Sequence, residues 1–167
     1  FFYRNIKNFE DDNLDKKLKF FIKSNNLKVN KILEIGCANG HKLYQYSKIL
    51  KSKKNYGIDL SKKSIQNGKK KYKNLTLLNI SSLQINKIKI KFDLIICGFF
   101  LYQLDRELIF KQFDLVFNKI QNNGYLLIID FDPLFKHTND NFHLKNLKSF
   151  KMSYDTFLVE SGLFEIV

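Results

Sequence analysis

The segment Lys31–Leu43 reads KILEIGCANGHKL, and the rest of the chain is organised around it. Ile32, Leu33, Glu34 and Ile35 have strand character and run straight into a loop bounded by Gly36 and Gly40, after which the sequence is compatible with a helix. The pattern is a strand, a tight turn and a helix start. Glycine at the strand exit admits positive φ and leaves no Cβ in the way of a ligand on the loop. A helix that starts near Gly40 is expected to direct its unsatisfied N–H groups into the same space. A polar or anionic ligand is the expected occupant.

The spacing separates the candidate ligands. A dinucleotide-binding loop reads G-x-G-x-x-G, whereas the corresponding positions here are Gly36, Ala38 and His41, so two of the three glycines are missing. What the loop does carry is E-x-G-x-x-x-G, as Glu34, Gly36 and Gly40. This resembles the first motif of class I S-adenosylmethionine-dependent methyltransferases, a Rossmann-like superfamily, with Ala38 at the family's middle glycine. The resemblance implies that Glu34, Gly36, Cys37, Ala38 and Gly40 line the site of S-adenosylmethionine.

A second stretch, NYGIDLSKKSI, supports the first. Tyr56 to Leu60 reads as a strand with Asp59 near its carboxyl end, 19 residues after Gly40, and Ser61 is placed to cap the next helix. An acid that ends the neighbouring strand of an open α/β sheet can accept both hydroxyls of a ribose. GIDLS also looks like the second motif of the family, which implies that Asp59 and Leu60 contact the cofactor. After a short third strand, Leu75 to Asn79, the positions where the family commonly has Asp-Ala are Asn79 and Ile80, and Asn can still accept a hydrogen bond from an adenine amino group. FDLIIC, Phe92 to Cys97, is a nearly continuous apolar run that suits a central parallel strand, and Gly98 at its exit completes the implied cofactor set. GFFLYQLD after it resembles the fourth motif, with Gln103 where a His is frequent. No D/N-P-P-Y/F sequence is present and no Pro precedes Cys97, so the two signatures of nucleobase methylation are missing and Cys97 is read as core.

The chain has 167 residues, one domain by length, with 44% hydrophobic content to build a core. Its formal charge is +13, which invites a nucleic-acid reading. Against that, Arg4 and Arg106 are the only arginines, and Lys is the poorer residue for bidentate recognition of phosphates or bases. A solvated lysine surface is preferred, and nucleic acid is the less favoured partner. Cys37 and Cys97 are too few for a disulfide framework, so a reducing cytoplasm is the expected location. The longest nearly apolar run, Leu94 to Leu101, is too short to span a bilayer, and no membrane partner is expected. No metal cluster is visible in the sequence.

Around this centre the chain divides into an N-terminal helical cap (1–30), with Leu14, Leu18, Phe21 and Ile22 on one face, the cofactor-binding core (31–130), a lid or acceptor segment (131–152), and a final helix and strand start (153–167). Asp105 is expected to cap a long helix with Leu108, Ile109, Phe113, Val116, Phe117 and Ile120 inward, and Asn122-Asn123-Gly124 to turn the chain into a fifth buried strand, Tyr125 to Ile129. Strands that alternate with helices predict a doubly wound, mostly parallel α/β sheet with helices on both faces, ending before a last antiparallel strand. The lid holds His137 and His143, either of which is a candidate base for the acceptor's proton. The resemblance implies methyl transfer by in-line displacement to a small organic or sugar-like acceptor. An RNA methyltransferase, a Rossmann-type oxidoreductase and a non-catalytic methyltransferase-like module are the alternatives.

Overall fold

A computed structural model describes residues 20–25, 27–140 and 148–167. Strand β1 (Lys31–Ile35) leads into helix α1 (His41–Leu50), β2 (Lys54–Ile58) into α2 (Lys62–Lys71), and β3 (Thr76–Leu78) follows. After a 3₁₀ turn at Ser82–Lys87 come β4 (Phe92–Gly98), α3 (Ile109–Lys119) and β5 (Ile120–Ile129). These five strands form one sheet in the order β3-β2-β1-β4-β5, and every adjacent pair is parallel. The chain winds outward from β1 to β3 on one side, then returns to β4 on the other. The crevice between the carboxyl ends of β1 and β4 is therefore the switch point of the sheet, where open α/β folds hold ligands.

Side-chain parity sorts the core into two layers. Leu33 and Ile35 of β1, with Ile95 and Cys97 of β4, pack with Ile109, Phe113 and Val116 of α3. Ile32, Leu94 and Ile96 face the other way, with Leu43 and Tyr46 of α1 and Ile65 of α2. Successive strand residues point to opposite faces, so Glu34 shares the α1 side with Ile32. The entry of β1 is pinned from β4, where Asp93 Oδ2 accepts from the backbone N–H groups of Asn30 and Lys31, both at 2.9 Å. Ser61 caps α2 as its position suggests, its hydroxyl accepting from Ser64 N.

Several expectations need correction. Asp105 makes no side-chain cap; residues 106–108 form a 3₁₀ turn and α3 begins only at Ile109. Phe117 is 44% exposed and Ile120 belongs to β5, so neither lies on an inward helix stripe. Asn122-Asn123-Gly124 does not separate helix from strand. It bulges out of β5 itself, whose register jumps from Phe92↔Ile120 to Leu94↔Tyr125, with Asn123 at φ 60°. Residues 125–129 are half-buried rather than buried, because β5 is the edge of the five-stranded sheet. The lid segment holds an antiparallel hairpin of β6 (His137–Asp140) and β7 (Lys148–Lys151), followed by α4 (Thr156–Glu160). Residues 163–167 form no strand, although Phe164 packs on the α3 layer. In the N-terminal cap, residues 20–24 are helical and Ile22 is buried, whereas Leu14 and Leu18 lie outside the described residues. No helix among the described residues is long and apolar enough to cross a membrane.

Candidate functional site

The loop after β1 takes left-handed backbone at alternate positions, Gly36 (φ 75°), Ala38 (φ 48°) and Gly40 (φ 79°). Ala38, at the middle position of the glycine motif, adopts the conformation that glycine would take more cheaply. Hydrogen bonds hold the coil to the neighbouring strand. Gly36 N and Cys37 N both donate to Ile58 O at 2.9 and 3.0 Å, and Ala38 N donates to Asp59 Oδ2 at 2.9 Å. The other oxygen of Asp59 accepts from Ser61 N at 2.7 Å. Asp59 therefore joins the two loops, with one oxygen in each and further lone pairs on both.

The remaining expected residues gather at the same end of the sheet. Asn79 donates its amide N–H groups to the carbonyls of Asp59 and Leu60, at 2.9 and 3.0 Å, which leaves its oxygen as the acceptor. Leu60 is 76% exposed, an apolar side chain set at the rim, and Ile80 is half-buried. At Gly98 a Cβ would meet nothing within 4 Å, so open space lies over that position. A Cβ on Gly36 would approach Phe100 to 3.3 Å, which puts the segment after β4 directly against the first loop.

Glu34 behaves differently from its expected place among the cofactor contacts. It is 6% exposed and its Oε2 accepts from Leu43 N in the first turn of α1 at 3.1 Å. Burial pushes its carboxyl from 4.5 up to about 8, against the opposing pull of the Leu43 N–H and Lys42. His41 N is likewise taken, by Asn39 Oδ1 at 3.1 Å. Two first-turn donors of α1 are thus spent on the protein's own side chains rather than offered to a ligand. Both thiols are buried, and that burial raises Cys37 well above its usual value and Cys97 to about 12, which disfavours the thiolate.

Two glycines that the motif did not single out hold this arrangement together. A Cβ on Gly57 would come within 3.0 Å of Cys37 Sγ, and one on Gly68 within 3.0 Å of the Asn39 carbonyl. Strand β2 and helix α2 press against the loop at these two points. In sequence each looks like an ordinary glycine inside a strand or helix; the only signal is its presence where another residue would be more stable.

Beyond β4 lies a group of residues that the lid reading located only coarsely. Asp130, at the end of β5, accepts from Tyr102 N (3.1 Å) and Phe131 N (2.8 Å). Burial raises its carboxyl above the usual value, against those N–H groups and Arg106. Phe131 stands edge-on to both Phe99 and Tyr102, with centroids 5.9 and 5.1 Å away. Arg106 fastens this region: its guanidinium donates to Leu101 O and Leu104 O at 2.6 Å and lies 4.4 Å from the Phe150 ring of β7. His137 is exposed on β6 with its ring nitrogen 3.0 Å from Phe135 O, and His143 lies outside the described residues.

Comparison with known proteins points to the same fold class. Over 138 residues the chain is 30% identical to the uncharacterized protein RP028 of Rickettsia prowazekii (strain Madrid E), covering 77% of this chain and 55% of that protein. The chain thus spans about half the length of this curated relative. The structure of PKMT2 from Rickettsia typhi in complex with AdoHcy matches at 29% identity and TM-score 0.55, over 61% of this chain and 21% of that one. The N-methyltransferase NodS of Bradyrhizobium japonicum WM9, in complex with S-adenosylhomocysteine, shares the fold at 22% identity and TM-score 0.59, over 71% and 63% of the two chains. A family profile described as a methyltransferase domain matches residues 27–161, from the approach to β1 through the loop, the sheet and α4, and the chain belongs to that family.

Proposed function

We propose that the chain binds S-adenosylmethionine in the β1–β4 crevice and transfers its methyl group, by in-line displacement, to a small organic or sugar-like acceptor. The observation that carries this reading is the left-handed Gly36–Gly40 coil locked to Asp59 at the switch point of the sheet. The described residues fit the cofactor. Asp59 retains lone pairs for ribose hydroxyls, Leu60 and Ile80 offer an apolar wall to a purine, and the Asn79 oxygen is available to its amino group. Gly98 leaves room for the amino-acid portion. The S-adenosylhomocysteine complexes of NodS and PKMT2 support the same donor.

When bound, S-adenosylmethionine would supply an already activated sulfonium methyl. The work left to the protein is positioning and exclusion of water. The coil and Asp59 would fix the ligand's two ends, and the segment 99–104 packed against Gly36 would close the methyl-bearing side. A proton on the acceptor would need a base only where the acceptor is protonated at the working pH.

Calorimetric titration of the chain with S-adenosylhomocysteine tests the reading, using wild type, Asp59→Ala and Gly98→Leu. Micromolar binding is expected, at least tenfold weaker in both variants, about 1.4 kcal/mol. Gly98→Leu is the cleaner probe, because its side chain enters open space and the melting temperature should hold. A folded wild-type chain that binds no S-adenosylhomocysteine would overturn the proposal.

A further inference from the structure

Arg106 and Lys151 both reach the region beyond the carboxyl ends of β4 and β5, and the fold uses them differently. Arg106 is spent: its guanidinium donates to Leu101 O, to Leu104 O and to the Tyr154 hydroxyl, while it stacks on Phe150. Lys151, the last residue of β7, is half-buried, and its Nζ lies 4.4 Å from the Phe131 centroid. That ring is its contact among the described residues, so no oxygen acceptor faces the ammonium. The acids close by are committed elsewhere or stand apart. Asp130 has one oxygen on Tyr102 N and the other on Phe131 N, and the cation that acts on its charge is Arg106. Asp155 accepts from Ser153 Oγ and Thr156 N, and Asp140 stands opposite Lys148 at the far end of the hairpin. Asp132 is exposed and makes no ion pair with Lys151. His137, directly opposite Lys151 in register, is tied through its ring nitrogen to Phe135 O.

A second donor stands at the same ring. Tyr102, on the turn after β4, is edge-on to Phe131 with centroids 5.1 Å apart. Its backbone N–H is held by Asp130, and its hydroxyl oxygen accepts from Gln103 Nε2 at 2.5 Å. With that oxygen engaged as an acceptor, the hydroxyl hydrogen is left to point elsewhere, and no acceptor among the described residues takes it. Phe99 adds an apolar face: it is 50% exposed, 5.9 Å from Phe131, and directly follows Gly98, over which space is open. The rim beside the crevice therefore offers an ammonium, a phenolic O–H and apolar rings, all gathered on Phe131.

We propose that the acceptor carries an anionic oxygen group, a carboxylate or a phosphate, held by Lys151 and the Tyr102 hydroxyl, with its apolar body against Phe99 and Phe131. This rests on the methyl-transfer reading above and narrows its acceptor to an acid. A hydrogen bond between an ammonium and an anionic oxygen is shorter and stronger than a neutral one, and a half-buried rim screens it less than open water does. Lysine serves either anion, because it binds as a point charge rather than as a planar fork. The strand order supports the placement: β4 lies between β1 and β5, so an anion anchored at the end of β5 leaves the other end of the acceptor directed towards Gly98 and the crevice. Lys151 and Tyr102 thus determine specificity and take no part in making or breaking the methyl bonds.

The test uses the full chain saturated with S-adenosylhomocysteine and ligand-observed NMR titration with 3-phenylpropionate, against 3-phenylpropanamide as the neutral isostere. The acid is expected to bind about tenfold more tightly than the amide, and its affinity to fall as salt is added. Lys151→Met, which keeps an apolar stem on Phe131 and removes the charge, should weaken the acid about tenfold and leave the amide unchanged. Tyr102→Phe should weaken it about threefold, and Lys151→Arg should restore most of the binding. All three variants should bind S-adenosylhomocysteine within about twofold of wild type, which reports an intact fold. Phenyl phosphate separates the two sources of the anion: tighter binding than the acid assigns a phosphate, weaker binding a carboxylate. Equal binding of acid and amide, or a Lys151→Met chain that binds the acid as wild type does, would overturn the anion assignment with the cofactor reading intact. Failure of the wild type to bind S-adenosylhomocysteine would instead remove the methyl-transfer reading beneath it.

Discussion

Replacing Glu34 by Gln should stabilise the protein in alkaline solution and leave it almost unchanged in acid. Glu34 is 6% exposed, faces α1 and accepts from Leu43 N. Its carboxyl is raised from 4.5 to about 8 by burial, so the folded state holds a proton that the unfolded state releases. The native state therefore binds more protons across that window, and stability must fall as pH rises from about 4.5 towards 8. Each pKa unit corresponds to about 1.4 kcal/mol. Integrated between pH 5 and pH 8, the wild type should lose roughly 3 kcal/mol relative to a variant that cannot ionise there. Gln keeps the oxygen that Leu43 N needs and removes the ionisation. Urea unfolding of both proteins at pH 5, 6.5 and 8 measures the difference directly. The gap should open in favour of Glu34→Gln as pH rises. Parallel stability profiles, with a gap constant to within about 0.5 kcal/mol, would refute the claim that Glu34 is carried inside as a neutral acid. A gap that opens in acid would reverse the sign and refute it equally.

Two further perturbations probe the frame of the site. Gly68→Ala drives a methyl group into the Asn39 carbonyl. It should cost about 1–3 kcal/mol, read as a lower urea midpoint, and should weaken S-adenosylhomocysteine binding because the loop itself must shift. Arg106→Lys should destabilise the region after β4 by about 2 kcal/mol, since one ammonium cannot serve Leu101 O and Leu104 O while it stacks on Phe150. Hydrogen exchange at residues 101–104 would report that loss, and unchanged protection would count against the guanidinium as the fastener.

What could be read from the residues alone was whatever depends on local order. The Gly36–Gly40 coil, Asp59 at the end of β2 and the Ser61 cap all follow from spacing within a few residues, and the structure has them in those places. The direction of Glu34 was also within reach. A strand alternates its faces, and Ile32 and Glu34 share the side covered by α1, so a ligand-facing acid there conflicts with the parity of the strand. Asn122-Asn123-Gly124 misled because the residues that favour a turn also favour a bulge, and only the pairing with β4 tells the two apart. The paired strand β6 has exposed, polar residues along its length and so lacks the alternation by which a strand is recognised. Arg106 carried no local signal at all. Its partners Phe150 and Tyr154 are more than forty residues away, and a lone arginine among lysines looks like one more surface charge.

The bulge in β5 has a consequence for what the open side of the sheet can accept. A parallel edge exposes alternating N–H and C=O groups to any extended chain, and a long flat edge invites copies to stack. Here residues 121–124 step out of line, and Asn123 takes a left-handed turn that no pairing strand can follow. The regular run that remains, 125–129, is about 17 Å long. The geometry that looks like an interruption therefore acts as a ruler: it limits lateral pairing to five residues and keeps this lysine-rich, apolar-cored sheet from presenting an open-ended template to its own kind.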